Sequence, residues 1–249
     1  MLFDLDDTLV DTRSAWRAGF GEAVVPLLER LPALSISGSI DSLHERCRSY
    51  IAEEQRRAGD AEWSHEWNRR AFRRLLGENG GSVAQADAAW RLAADVTPRH
   101  LHMFEDVLPT LEYLGGHYRL GLISNGLAGD QRPKIDRFDL ARFFSVVVIS
   151  EEVGLRKPNP AIFKLALSGL GVSGQFAAYV GDNPAHDVVG AHAAGLAAIW
   201  LRRPGGWHDA VGGTEPEAEL SSLAELPELL GEKRAGAGVI KNPYEGHTG

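Results

Sequence analysis

Four short polar segments of this 249-residue chain carry side chains that can handle a phosphate group. They are Asp4-Leu5-Asp6-Asp7-Thr8-Leu9, Ser124-Asn125-Gly126, Arg156-Lys157-Pro158 and Gly181-Asp182-Asn183, and Asp187 follows the last of them. Each comes just after an apolar run that is typical of a strand. Because parallel strands end at a common edge of a sheet, we expect these side chains to converge on one crevice. Taken singly, each segment is an ordinary turn or helix cap. The four together favour a catalytic site.

Asp4, at the end of the first apolar run, is the candidate nucleophile. An aspartate can attack phosphorus to form an acyl phosphate that water later cleaves, which divides one difficult displacement into two easier steps. Asp6 faces the same side if the chain stays extended. Its carboxyl group is the candidate general acid for the leaving alkoxide and general base for the attacking water. We expect the Thr8 hydroxyl to orient Asp6, and Thr8 is also a candidate substrate contact.

The remaining polar residues suit phosphate and metal binding. Phosphoryl transfer depends mostly on positioning and on stabilising negative charge, and the candidate phosphate-binding groups are the Ser124 hydroxyl, the Asn125 backbone amide and the Lys157 ammonium group. Mg²⁺ prefers hard oxygen ligands. The candidate ligands are Asp4, the backbone carbonyl of Asp6, Asp182, and Asp187 either directly or through a water.

The order of the patterns predicts an α/β fold with a doubly wound, Rossmann-like parallel sheet. Apolar runs at 120–123, 146–149, 177–180 and 198–201 alternate with helical patterns near 129–138, 160–170 and 184–194, as in successive βαβ units. Residues 14–96 have helical periodicity throughout and predict a separate helical insertion. We therefore expect a core of residues 1–13 and 97–231, with a flexible tail at 232–249. A capping-box pattern at 222–225 predicts a short helix.

The four segments, in this order, resemble those of the haloacid dehalogenase superfamily from the first residues to about Leu230. The resemblance is to subfamily I with a helical cap, and it implies a Mg²⁺-dependent phosphatase whose inserted cap selects the substrate. Asp6 points to a phosphatase or a phosphomutase, because dehalogenases of this family need no leaving-group acid at that position. The variants Ser124-Asn125-Gly126 and Gly181-Asp182-Asn183 most resemble the branch that includes nucleoside monophosphate and N-acylneuraminate phosphate phosphatases. We therefore expect a small phosphorylated metabolite, such as a nucleoside monophosphate or a sugar phosphate, as substrate.

Two alternatives stay open at this stage. A phosphomutase uses the same residues and shields its aspartyl phosphate from water. A non-catalytic phosphoacceptor switch also places an acidic cluster and a lysine at strand ends, although Asp6 and the insertion count against it. Steady phosphate release, dependence on a bisphosphate activator, and a long-lived phosphoaspartate would distinguish the three.

Composition narrows the class of partner. The formal net charge of −8 counts against a general nucleic-acid surface, and no stretch is apolar enough to span a membrane. The single cysteine, Cys47, suits a reducing compartment. We expect a cytoplasmic protein that binds neither nucleic acid nor membrane. Since only three residues precede Asp4, we also expect a first strand of only ~10 Å and a sequence that starts late relative to the family.

The predicted cap offers weaker candidates for substrate recognition. Arg13, where the chain enters the insertion, is a candidate contact near the reacting group. Arg69, Arg70, Arg73 and Arg74 share one helical pattern, and guanidinium groups there can bind a carboxylate or a second phosphate. The four-residue spacing of Trp63, Trp67, Ala71 and Leu75 favours a simpler interpretation, in which these residues pack in a core and the arginines form a solvated face.

Overall fold

The computed structural model describes residues 1–58, 65–204, 206 and 214–235. The chain forms two compact units. The core unit consists of Met1–Val10 and the chain from Met103 onward, and the helical unit consists of Asp11–His102. No helix in the described residues is both long enough and apolar enough to cross a membrane.

The described part of the core unit contains a six-stranded parallel sheet. Its strands are β1 (Leu2–Phe3), β2 (Gly121–Ser124), β3 (Val146–Ile149), β4 (Ala178–Gly181), β5 (Ala197–Leu201) and β6 (Ala218–Leu220). Their order is β3-β2-β1-β4-β5-β6, and all neighbours are parallel. The strand order reverses at β1, and in such sheets the carboxyl ends of the strands border a crevice at this point. The predicted doubly wound α/β fold is confirmed, whereas β6 was not predicted.

The helical unit is built from five described helices. They are α1 (Thr12–Leu28), α2 (Pro32–Ile36), α3 (Ile40–Ala58), α4 (Glu66–Gly77) and α5 (Val83–His100). Helix α5 begins with a capping box, in which Ser82 and Gln85 satisfy each other's backbone amides. Phe20, Phe72 and Leu75 are fully buried in the core of this unit. Trp67 and Ala71 are also buried, which confirms the predicted packing face for the residues of α4. Trp63, the fourth member of the predicted set, lies outside the described residues.

The described residues of the core unit also form six α-helices. They are α6 (Val107–Gly115), α7 (Ala128–Arg137), α8 (Ser150–Val153), α9 (Pro160–Leu170), α10 (Val189–Ala193) and α11 (Leu226–Ala235). Helix α9 begins where its sequence predicts, because Asn159 caps it through the Ala161 amide and Pro160 occupies its first position. The predicted capping box is present at Ser222 and Glu225 and opens a short 3₁₀ turn.

The predicted tail at 232–249 overlaps the end of α11, which continues to Ala235. Residues 236–249 lie outside the described residues, so the prediction of a flexible tail stays a prediction.

Candidate active site

The sheet places the polar segments at the carboxyl ends of its central strands. Asp4 directly follows β1, Ser124 is the last residue of β2, and Asp182 directly follows β4. The Asp4 backbone amide donates to the Val180 carbonyl at 2.9 Å, which extends the pairing of the two-residue strand β1. Asp187 lies on the helical turn Pro184–Val188 that follows β4. The predicted convergence of these segments therefore has a direct cause in the strand order.

A buried ammonium group joins two of the aspartates. Lys157 Nζ lies 2.7 Å from Asp4 Oδ1 and 2.7 Å from Asp187 Oδ1. It also donates to the Tyr179 hydroxyl at 2.9 Å, and that hydroxyl donates to the Ile123 carbonyl at 3.1 Å. The lysine therefore has fixed partners for its three N–H groups. Tyr179 was not predicted as a site residue, because a tyrosine within an apolar run is typical of a buried strand.

Burial and charge shift the pKa values of Asp4 and Lys157 in opposite directions. Burial raises the pKa of Asp4 to about 7, and the Lys157 charge offsets only part of this increase. Burial alone would lower the pKa of Lys157, but the charges of Asp187 and Asp4 outweigh it and raise that pKa. Burial and the nearby carboxylates also raise the pKa of Tyr179 well above its ordinary value. At neutral pH the lysine is charged and the tyrosine is protonated.

Three buried carboxylates form a group that can hold a metal ion. One oxygen from each of Asp4, Asp182 and Asp187 lies within 4.8 Å of the other two. The Asn183 backbone amide donates to Asp187 Oδ2 at 2.9 Å and orients this carboxylate. A Cβ atom on Gly181 would lie 2.2 Å from Asp187 Oδ2, so glycine is needed for this approach. An all-oxygen donor set of this kind fits Mg²⁺. The Asp6 side chain does not belong to the group.

The predicted phosphate-binding residues adopt two different roles. Ser124 Oγ is buried and has no hydrogen-bond partner among the described residues, so it can donate to a phosphate oxygen. The Asn125 side chain instead accepts from the Lys157 backbone amide at 2.8 Å and donates to the Lys157 carbonyl at 2.9 Å. This pair of bonds positions the lysine backbone. This positioning role of the Asn125 side chain was not predicted, since only the backbone amide of Asn125 was a candidate.

Asp6 is held by helix α7. Lys134 Nζ lies 2.6 Å from Asp6 Oδ1, and Gln131 Nε2 donates to Asp6 Oδ2 at 2.8 Å. The predicted orientation of Asp6 by the Thr8 hydroxyl is wrong, because Thr8 Oγ1 is buried and has no hydrogen-bond partner, Asp6 included, in the part of the chain that the structure describes. The backbone carbonyl of Thr8 accepts from Arg203 Nη2 at 2.9 Å instead. Thr8 is fully buried, and its candidacy as a substrate contact stays a prediction.

The remaining candidates belong to the helical unit. Arg13 lies in the first turn of α1 and is half-buried. The four arginines of α4 all form ion pairs within the unit, with closest distances between 2.5 and 3.4 Å. The pairs are Arg69 and Arg70 with Glu66, Arg73 with Asp87, and Arg74 with Glu53. This pairing supports the solvated-face interpretation of α4.

Comparison with known proteins gives a consistent assignment. A family model described as haloacid dehalogenase-like hydrolase matches residues 1–201. The chain is 32% identical over 241 residues to glyceraldehyde 3-phosphate phosphatase of Methanopyrus kandleri, covering 93% of this chain and 97% of the relative. It is 38% identical to phosphoserine phosphatase of Thermus thermophilus, but that match spans only 57% of each protein.

A solved structure gives the same family from the fold. The 2-haloacid dehalogenase from Pseudomonas syringae pv. Tomato aligns with a TM-score of 0.59 and 33% identity, covering 93% of this chain and 97% of that one. The strand order, the four segments at the strand ends and the family match all agree. The chain therefore belongs to the haloacid dehalogenase-like hydrolases.

Proposed function

We propose that this chain hydrolyses the phosphomonoester of a small metabolite in a Mg²⁺-dependent reaction, with Asp4 as the nucleophile. It is a phosphoric monoester hydrolase, in keeping with the phosphatases among its relatives. The observation that carries the finer proposal is the charge balance of the site. Lys157 supplies one positive charge beside the three buried carboxylates of Asp4, Asp182 and Asp187. Buried charges are costly unless they are compensated, so a divalent cation would complete the balance.

The same three carboxylates would hold the cation. When bound, Mg²⁺ would neutralise negative charge on the phosphate and favour the ionised form of Asp4. This second effect matters because burial raises the pKa of Asp4 to about 7, and a protonated carboxyl group is a poor nucleophile. Lys157, in contact with Asp4 Oδ1, acts in the same direction.

The chain's own residues then account for both half-reactions. In the first, an Asp4 oxygen bonds to phosphorus as the ester P–O bond breaks, and the Asp6 carboxyl group gives its proton to the leaving alkoxide. In the second, Asp6 takes a proton from water as the water oxygen attacks phosphorus, and the bond between phosphorus and Asp4 breaks. Inorganic phosphate leaves, Asp4 is regenerated and Asp6 is protonated again. The unpartnered Ser124 hydroxyl would donate to a phosphate oxygen throughout.

Dehalogenation of a 2-haloacid is the alternative reaction, because one similar solved structure is a 2-haloacid dehalogenase. A halide ion leaves without a proton, so that reaction gives Asp6 no task. A carboxyl group held by two donors from α7 is better explained by an alkoxide leaving group. Chloride release from a 2-chloroacid at a rate above phosphate release would favour this alternative.

The substrate is best sought among small phosphorylated metabolites. The relatives' names suggest glyceraldehyde 3-phosphate and phosphoserine, and the family branch suggests nucleoside monophosphates and sugar phosphates. The predicted insertion at 14–96 is proposed to act as the cap that selects among them. A screen that measures phosphate release with Mg²⁺ tests the proposal, with Asp4→Asn as the inactive control. Sustained turnover by Asp4→Asn would contradict the covalent mechanism.

A further inference from the structure

Helix α7 presents two hydrogen-bond donors to the acid/base candidate Asp6. Lys134 Nζ binds one carboxylate oxygen at 2.6 Å and Gln131 Nε2 binds the other at 2.8 Å. The two donors are three residues apart, so they lie on the same face of the helix. Neither residue belongs to one of the four polar segments, and the reaction described above does not use them.

The local packing fixes this arrangement. Gln131 is buried, and its Nε2 also donates to the Asn125 carbonyl at 3.2 Å, next to the phosphate-binding segment. A Cβ atom on Gly126 would lie 2.3 Å from Gln131 Nε2, so glycine at 126 leaves room for this side chain. The Lys134 side chain is only 12% exposed, whereas that of Asp6 is 28% exposed. The donors are therefore more enclosed than the group that they bind.

We propose that Gln131 and Lys134 are positioning residues that hold the Asp6 carboxyl group in its acid/base orientation. This inference rests on the proposed function. One donor on each oxygen fixes the plane of the carboxyl group, which a single hydrogen bond would leave free to turn. Each carboxylate oxygen has two lone pairs, so a hydrogen bond from Gln131 or Lys134 to one of them does not by itself prevent protonation at the other. Correct orientation before the reaction is a large part of the catalytic advantage.

The dependence on the leaving group gives a specific test. A p-nitrophenolate ion leaves without needing a proton, whereas an alkoxide needs one, so a misplaced acid affects alkyl esters selectively. The variants are Lys134→Met and Gln131→Met. Arg132→Ala is the matched control, because Arg132 lies between the two donors on α7 but pairs with Glu152 at 2.7 Å. The assay measures kcat/KM with p-nitrophenyl phosphate and with glycerol 3-phosphate. This ratio reports the first half-reaction, whereas kcat can also be limited by the attack of water, in which Asp6 serves both esters alike. Thermal unfolding checks that each variant is folded.

We expect each Met variant to lose about ten- to a hundredfold in kcat/KM on the alkyl ester, part of the ~10²–10⁴-fold that general acid–base catalysis contributes. The value of kcat/KM on the aryl ester should change by less than about threefold, like that of Arg132→Ala on both esters. Lys134→Arg, which keeps a charged donor, should recover most of the alkyl activity. In an Asp6→Ala background, the Lys134→Met effect should vanish, because the two changes remove the same function.

Equal losses of kcat/KM on both esters, or a full Lys134→Met effect in the Asp6→Ala background, would show a structural role and overturn the proposal. Unchanged alkyl activity in both Met variants would also overturn it. If Lys134→Met does not fold, Gln131→Met and Lys134→Arg still decide the outcome. Failure of the proposed function is distinguishable, since the unmodified protein would then release no phosphate from either ester, or Asp4→Asn would remain active.

Discussion

Replacing Asp4 by asparagine should remove activity and yet stabilise the metal-free protein at alkaline pH. Burial raises the pKa of Asp4 from 3.8 to about 7, so the folded protein holds a proton on this group that the unfolded chain has already lost. This contribution to the free energy of unfolding is fully present below pH 3.8 and is lost as the pH rises to about 7. At about 1.4 kcal/mol per pKa unit, the loss amounts to ~4 kcal/mol. Asp4→Asn has no such proton to lose.

The assay compares urea unfolding of the two proteins in chelator at pH 5 and pH 8. Contributions from other groups are largely common to both proteins, so the difference between their free energies of unfolding isolates Asp4. This difference should shift in favour of Asp4→Asn by ~3 kcal/mol between the two pH values, since most of the titration falls in that interval. Added Mg²⁺ at pH 8 should reduce it again, because a cation that binds the folded state stabilises the unmodified protein by mass action.

Two outcomes of the urea experiment would contradict a raised pKa for Asp4. If Asp4→Asn were no more stable than the unmodified protein at pH 8 in chelator, burial would not be opposing the ionised carboxylate. If the difference were the same at pH 5 and pH 8, its cause would be packing and not charge. In either case the buried carboxylates would not need a cation to balance their charge.

Four further outcomes are expected. Asp6→Asn should lower kcat on alkyl phosphates by ~10²–10⁴-fold, measured by phosphate release; a loss below tenfold would contradict the acid role. Chelator should abolish phosphate release, and added Mg²⁺ should restore it, whereas Ca²⁺ should not, because calcium coordination is longer and looser. Asp182→Ala should raise the Mg²⁺ concentration that is required for activity. Full activity in chelator would exclude the metal assignment. Burial lowers the pKa of His44 from 6.5 to about 4, so the free energy of unfolding should fall by up to ~3 kcal/mol as the pH drops through this interval. In His44→Leu, thermal unfolding should show a smaller loss of stability over the same pH range. Arg70→Ala should leave unchanged the ranking of a metabolite panel by kcat/KM, since Arg70 pairs with Glu66. Arg13→Ala should alter this ranking if Arg13 contacts the substrate.

The strands and the motif residues could be predicted because both depend on local sequence. Consecutive apolar residues predicted β2, β3, β4 and β5 to within one residue at each end. The candidate side chains lie at or just after strand ends, so a correct strand assignment also places Asp4, Ser124 and Asp182 at one edge of the sheet. The parallel order then brings them together without further information from the loops.

The supporting contacts could not be predicted, because they join residues that are distant in sequence. Gln131 and Lys134 meet Asp6 across more than a hundred residues, and polar residues in an amphipathic helix are usually solvated. The strand β6 has only three residues, one of them exposed, and it has no continuous apolar run to identify it. Its place in the sheet depends on pairing with β5.

The loop that carries Asp6 is held on more than one side of the core unit, and this compensates for the shortness of β1. Besides the contacts of α7 with Asp6, Arg203 donates to the Thr8 carbonyl and forms two hydrogen bonds with Asp106, at 2.6 and 2.8 Å. Within the loop, the Asp7 amide bonds to the Val10 carbonyl at 2.7 Å. A two-residue strand alone would fix Asp4 weakly and Asp6 hardly at all. The orientation of Asp6 is therefore determined jointly by the β1 loop, α7 and the residues after β5, and that of Asp4 by its ion pair with Lys157, so a family motif identifies the reacting groups but does not by itself position them.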